Sequence, residues 1–247
     1  MAIDPVAISI FGFSIYWYGL VYAISFLFGY LFLMKFSSHI SKDKELIERV
    51  YIITMISALF FGRIFHCIFY EFDYYSSNLL EIFAVWKGGM SSHGGIFGSF
   101  IALYYCSNKY KLSFLKLIDV FSILGLIGFT FGRLANFVNQ EIVGRVTTSS
   151  FGIVFDKIDD LIRHPYQLYA SAKNMLVLQI LFYMYFIKKY KDGMIAVVFL
   201  ILYNGFRFIL DFIREVEYGL GIISMSQLLS LIFIIIGIVL YYNIRKN

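Results

Sequence analysis

The stretch Gly132-Arg133-Leu134-Ala135-Asn136-Phe137-Val138-Asn139-Gln140-Glu141-Ile142-Val143-Gly144-Arg145 sets guanidinium, amide and carboxylate groups at the end of a strongly apolar segment. A charged side chain near hydrocarbon costs about 2.5–3.5 kcal/mol, so it faces a partner, a watery cavity or a substrate. In a helix Arg133 and Asn136 lie three apart and Asn136 and Gln140 four apart, which puts them on one face. Such a face could hold an anion; a polar helix end anchored among headgroups is the plainer reading.

Four other polar or aromatic stretches are candidates. Tyr203, Arg207, Asp211 and Arg214 follow at spacings of four, four and three, the spacing of one helical face. An Arg207–Asp211 ion pair explains them simply, and a paired arginine keeps spare donors for a phosphate. His93 lies in Lys87-Gly88-Gly89-Met90-Ser91-Ser92-His93-Gly94-Gly95, where glycines allow close backbone approach and positive φ. It is a titratable group for neutral pH at the head of an expected helix, against the default of a structural histidine. Arg63, beside Gly62 and near His66, is expected to be structural, paired with Asp119 or another carboxylate. Tyr16-Trp17-Tyr18-Gly19 has the composition of an interfacial aromatic belt.

The elements that must position these groups are membrane helices. The 247 residues are 60% hydrophobic and 20% aromatic, with mean hydropathy +0.76, beyond the range of ordinary soluble domains. Windows near 14–34, 50–70, 89–107, 117–136, 167–187, 193–213 and 223–243 each hold the roughly 20 apolar residues that cross a bilayer. The expectation is an all-α polytopic integral membrane protein with seven transmembrane helices, forming a single membrane domain over 1–247. Its longest extramembrane segment, 137–165, is too short for an independent domain and is expected to form a small outer cap. Pro165 fits the first turn of the helix that follows, and His164 is read as capping it.

Charge orients the spans. Lys35, Lys42, Lys44 and Arg49, then Lys109, Lys111 and Lys116, then Lys188, Lys189 and Lys191, then Arg245 and Lys246 fall on one side, which the positive-inside rule makes cytoplasmic. The N-terminus is then outside and the C-terminus inside. A formal charge of +5 dispersed among apolar runs does not suit nucleic acid. Cys67 and Cys106 form neither a CxxC pair nor a disulfide framework, so no zinc is expected. Met1 to Phe13 holds no Lys or Arg, which argues against a cleaved secretory signal.

The polar stretch resembles the signature Gly-Arg-x-Gly-Asn-Phe-x-Asn-x-Glu-x-x-Gly of the bacterial prolipoprotein diacylglyceryl transferases, matched from Gly132 to Gly144 except at Ala135. Further resemblances follow in the same order. They are a Trp-Tyr-Gly at Trp17, Gly-Gly-Met-Ser-x-His-Gly-Gly around His93, Arg-His-Pro-x-Gln-Leu-Tyr from Arg163, and Tyr-x-x-x-Arg-Phe-x-x-Glu-Phe-x-Arg from Tyr203. Asp211 replaces the usual Glu in the last of these. The resemblance implies transfer of the diacylglyceryl group of phosphatidylglycerol to the lipobox cysteine thiol of a prolipoprotein, forming a thioether and releasing glycerol phosphate. It places the reaction in the bacterial inner membrane, with the site toward the outer leaflet.

The sulfur belongs to the substrate, so a base near pKa 6.5 would help to ionise it, and His93 is the candidate. Arg133 and Arg207 are expected to hold the phosphate as its charge grows. Tyr18, Asn136, Asn139, Glu141, Gly144, Tyr203 and Asp211 are expected to line the substrate site. No metal and no cofactor is needed, and the partners are phosphatidylglycerol, a prolipoprotein signal peptide and membrane lipid. A transporter or channel for an anionic solute is the competing reading, which the lack of an internal repeat disfavours. An intramembrane protease would need a catalytic set that is not found.

Overall fold

The computed structural model describes residues 6–10, 13–85, 88–187, 190–215, 219–220 and 223–246. Lys188, Lys189, Glu217 and the first five residues lie outside them. The described chain is mostly helical: α1 Trp17–Phe36, α2 Lys44–Phe69, α3 Phe72–Ser77, α4 Ser92–Tyr110, α5 Phe114–Asn139, α6 Tyr166–Phe186, α7 Met194–Leu210 and α8 Met225–Lys246. The expected all-α class needs one amendment. Three two-stranded antiparallel ribbons are present: β1 Val6–Ile10 with β2 Phe13–Tyr16, β3 Ile153–Val154 with β4 Ile162–Arg163, and β5 Gly219–Leu220 with β6 Ile223–Ser224. The strands β3 to β6 have two residues each, below the length that alternation in sequence can reveal, and β1 and β2 are at its lower limit.

Five described helical stretches are long and apolar enough to cross a membrane, namely Trp17–His39, Lys44–Phe69, Phe114–Asn139, Met194–Ile213 and Met225–Lys246. Burial follows the same logic. Large apolar side chains such as Ile56, Phe60, Tyr104 and Ile235 are exposed, whereas Gln167, Asn174, Asp211 and Gln227 are buried. In water such a surface would be costly, and in lipid it is the solvated one.

The chain divides into two compact units, Tyr30–Ile118 and Met1–Gly29 with Asp119–Asn247. In the first, α2 and α4 pack antiparallel through small residues. A Cβ on Gly94 would strike the Phe61 carbonyl, and one on Gly98 would strike that of Ser57. This close approach lets Ser57 Oγ donate to the Gly98 carbonyl at 2.8 Å, the small-xxx-small geometry of membrane helix pairs. Arg63 departs from expectation. Its guanidinium donates to the backbone carbonyls of Ile82 and Glu81 at 2.8 Å, Gly89 at 3.0 Å and Gly88, and stands 4.9 Å from the Tyr75 ring centroid. The pull of several peptide dipoles substitutes for a carboxylate, and it fixes the turn that leads into α4. Gly89 has φ +76°, and a Cβ there would lie 2.5 Å from His66 Nε2.

The second unit holds most of α5 with α6, α7 and α8. Asp119, expected as a partner for Arg63, instead caps α7, accepting from Gly193 N at 2.7 Å and Ala196 N at 2.8 Å. Ser171 Oγ of α6 donates to the Thr130 carbonyl of α5 at 3.3 Å, and Gln227 Nε2 of α8 donates to the Phe208 carbonyl of α7 at 3.1 Å. α5 stops where Gln140 turns left-handed at φ +59°. The segment beyond it is a clasp. Gly144 N donates to the His164 carbonyl and Arg145 N to that of Ile213, so residues 143–147 lie between 162–164 and 213–215.

Candidate active site

Apart from His93, the expected site residues all belong to the second unit, and most of them form one connected network. Arg133 NH1 reaches Asn136 Oδ1 at 3.4 Å, and Asn136 Nδ2 donates to Glu141 Oε1 at 2.8 Å. The chain reversal after Gln140 makes this bond possible, because it folds Glu141 N back onto the Asn136 carbonyl at 3.0 Å. Tyr18, at the start of α1, sits beside Asn136 and Tyr22 in the field of Glu141. Asn139 enters through its backbone carbonyl, which accepts from Lys157 Nζ at 3.4 Å. Gly144 serves close approach, since a Cβ there would lie 2.6 Å from both the Cβ and the carbonyl oxygen of His164.

Asp211 organises the second half. It is buried, accepts from the Tyr166 phenol and from Ser226 Oγ at 2.6 Å, and lies 3.8 Å from Arg207 Nε. That distance is an ion pair without a hydrogen bond. Among the described residues the buried Arg207 Nε has no hydrogen-bond partner. Tyr203 lies one turn before Arg207, in its electrostatic field, and its ring packs between Phe129 and Phe199. The helical-face reading holds for Tyr203 and Arg207 and fails at Arg214. The α-helix ends at Leu210, a 3-10 turn covers Asp211–Ile213, and Arg214 leaves with ψ 140°. The clasp returns its guanidinium to the site, 5.9 Å from the Tyr166 ring centroid.

Several participants were not among the expected site residues. Tyr166 occupies the variable position of the Arg-His-Pro-x-Gln-Leu-Tyr pattern, yet it is nearly fully buried with Arg133 and Arg214 against its ring. Gln167 Nε2 holds the Glu141 carbonyl at 2.8 Å. Ser226, in the first turn of α8, donates to Asp211 Oδ2 at 2.6 Å. Lys173 is a lone cation in an apolar window, and its Nζ stands 3.7 Å from the Tyr203 ring centroid.

Outside the helices, Arg163 ties the clasp. It donates to both Asp159 oxygens, to the Gly144 carbonyl at 3.3 Å and to Glu215 Oε2 at 3.1 Å. The Arg163 hydrogen bonds hold the Asp159 carboxyl below the usual carboxylate range, and the same bonds push the Arg163 guanidinium further up. In the first unit His93 is exposed, one residue inside α4, whose N-cap Ser91 accepts from Gly94 N at 3.4 Å. Among the described residues no group of His, Cys, Asp and Glu could hold a metal.

The arrangement sets Arg133 and Arg214 against the Tyr166 ring and Arg207 beside the buried Asp211, in an otherwise apolar protein. The family model for prolipoprotein diacylglyceryl transferase matches residues 5–243. The chain belongs to the prolipoprotein diacylglyceryl transferase family. Among similar proteins are the phosphatidylglycerol–prolipoprotein diacylglyceryl transferases of Ehrlichia ruminantium strain Gardel, 38% identical over 96% of this chain and 95% of its relative, and of Nitrosomonas europaea, 40% identical over 97% and 89%. That of Wigglesworthia glossinidia brevipalpis is 38% identical over 97% and 95%. As a prolipoprotein diacylglyceryl transferase by family, the chain is an enzyme, and its apolar helices make it a multi-pass membrane protein.

Proposed function

We propose that this enzyme transfers the diacylglyceryl group of phosphatidylglycerol to the lipobox cysteine of a prolipoprotein signal peptide. The substrate thiolate attacks the glyceryl carbon that bears the phosphodiester. A C–S bond forms, the C–O bond breaks, and its electron pair leaves on the phosphate as glycerol phosphate. The thiol proton passes to the His93 imidazole, since a free thiol is only a few per cent ionised at neutral pH. A positioned base contributes about 10²–10⁴-fold.

The observation that carries the reading is the gathering of Arg133 and Arg207 about Tyr166 and the buried Asp211. A phosphodiester becoming a monoester gains negative charge, so cations fixed there bind the transition state more tightly than the ground state. Asn136, Glu141 and Tyr18 hold Arg133 and offer polar groups to the glycerol hydroxyls, with Asn139 nearby in sequence. Tyr203 and Asp211 hold Arg207, and Gly144 lets the clasp close.

The two units are one membrane domain in this reading, because α1 and α5 each run unbroken through a division point. α4 and α6 also span, which gives seven spans with the N-terminus outside, the C-terminus cytoplasmic and the 137–165 segment as an outer cap at the inner membrane. Both substrates already reside in the bilayer and reach the site laterally.

Purified protein in detergent, given phosphatidylglycerol and a cysteine-containing lipobox peptide, is the test. Lipidation without any gradient is expected, with large losses in Arg133→Lys, Arg207→Lys and His93→Gln. Absence of lipidation together with anion flux in vesicles overturns the reading in favour of a transporter.

A further inference from the structure

Lys173 on α6 is used by nothing described so far. Its Nζ lies 3.7 Å from the Tyr203 ring centroid and reaches the Tyr203 carbonyl at 3.4 Å. It stands in the fields of Arg133, Arg207 and Asp211. An ammonium has three donors, and a single long bond leaves donors to spare. Asp211, the one buried carboxylate nearby, is already engaged by Tyr166, Ser226 and Arg207. Three cations facing one committed carboxylate repel each other in a poorly solvated interior, where charge interactions are weakly screened. A sequence that sought only stability would place an apolar residue there.

Helix geometry directs the lysine toward the same place. Lys173 follows Tyr166 by two turns, so both project from one face of α6. Tyr166 takes Arg133 against its ring, while Lys173 sits over Tyr203, which lies one helical turn before Arg207. The two residues of α6 thus bracket the two arginines.

We infer that Lys173 is a third phosphate ligand of the transfer site, holding the ester oxygen charge that grows on the departing glycerol phosphate. The inference rests on the proposed reaction and goes beyond it by adding a residue. Because the departing monoester carries more charge than the lipid diester, Lys173 favours the leaving state over the bound lipid. It touches substrate and is a catalytic residue in that sense.

The experiment uses the full chain in detergent. Lys173→Met is expected to lower kcat for lipidation by tenfold or more, with KM for phosphatidylglycerol changed less than threefold. The inhibition constant of added glycerol 1-phosphate should rise at least fivefold. Lys173→Arg should recover most of both. The phosphatidylglycerol arm reads the lipid headgroup, and the added ester reads the free phosphate. Removing a repelled cation should also raise the Tm of ligand-free Lys173→Met, whereas a lysine kept for packing would lower it. Unchanged kcat and unchanged inhibition in Lys173→Met, or a Tm that falls together with activity and is not rescued by Arg, overturns the assignment. Wild-type protein inactive with phosphatidylglycerol overturns the underlying reaction instead, so the two failures are distinct.

Discussion

Arg133 and Arg214 stand against the same ring, each guanidinium carbon 5.9 Å from the centroid of Tyr166. One arginine comes from the last turns of α5 and the other from the extended chain after α7, so the ring is the piece that relates them. Its hydroxyl donates to Asp211, which in turn faces Arg207. Tyr166 therefore touches the arrangement of three arginines.

Tyr166→Phe separates the ring from the hydroxyl. The aromatic surface remains, and a hydrogen bond to a buried carboxylate is lost, worth about 1.5–3 kcal/mol. A fall in Tm is expected, with kcat reduced about four- to twelvefold if roughly half of that loss reaches the transition state. Tyr166→Ala should lose far more, because the guanidinium groups lose their common support. Equal activity for Phe and wild type would make the phenol a spectator.

Asp211→Asn tests whether the buried carboxylate is needed as a charge. Breaking a buried pair by removing one partner costs about 3–5 kcal/mol, since the other charge is left without compensation. Here Arg207 is that charge. Asn keeps one oxygen to accept from Tyr166 and turns an NH2 toward Ser226 Oγ, which can accept from it, so a loss in thermal stability well beyond that of one reversed hydrogen bond assigns the effect to charge. Asp211→Glu should keep most of the activity, as the family pattern carries Glu at this place.

The parts of this design that were legible in sequence are those written in local chemistry. The seven apolar windows fall on the long helices α1, α2 and α4 to α8, with ends off by up to six residues, and the spacing of Arg133, Asn136, Tyr203 and Arg207 matches helical faces. What stayed hidden depends on chain reversals and distant partners. Arg63 found peptide carbonyls because a turn twenty residues away folds over it, and no spacing rule encodes that. Arg214 left its helical face because α7 tightens into a 3-10 turn, and the clasp then re-aimed it. Gln140 and Ile142, at φ +59° and +57°, bend the motif in a way that its residue types do not announce.

The α2–α4 seam predicts opposite signs for neighbouring glycines. Gly98→Ala would push a methyl into the Ser57 carbonyl, and overpacking of this kind costs about 1–3 kcal/mol. Gly95→Ala meets only the Ala58 carbonyl at 3.7 Å, an ordinary contact, and gains up to about 1 kcal/mol of helix propensity. Thermal denaturation in detergent should therefore place Gly98→Ala below wild type and Gly95→Ala at or above it. Matching losses for the two would mean that the seam is looser than its geometry implies.

The clasp carries a pH dependence whose sign follows from Asp159. Arg163 donates to both of its oxygens, at 3.0 Å and 3.1 Å from Nε and 2.6 Å from NH2, and holds the carboxyl low. A carboxylate whose folded pKa lies below its unfolded value near 3.9 adds stability above that value and loses it as pH falls through the folded one. Protonation also frees Arg163, which otherwise supports Gly144 and Glu215. Resistance of the 143–165 segment to proteolysis should be flat from about pH 8 to 5 and drop below about pH 4. Asp159→Asn should start weaker at neutral pH and lack the part of the acid drop that Asp159 supplies, although the remaining carboxylates still titrate in both proteins. The difference between the two curves isolates Asp159, and parallel curves at every pH would rule out its pairing with Arg163 as the source.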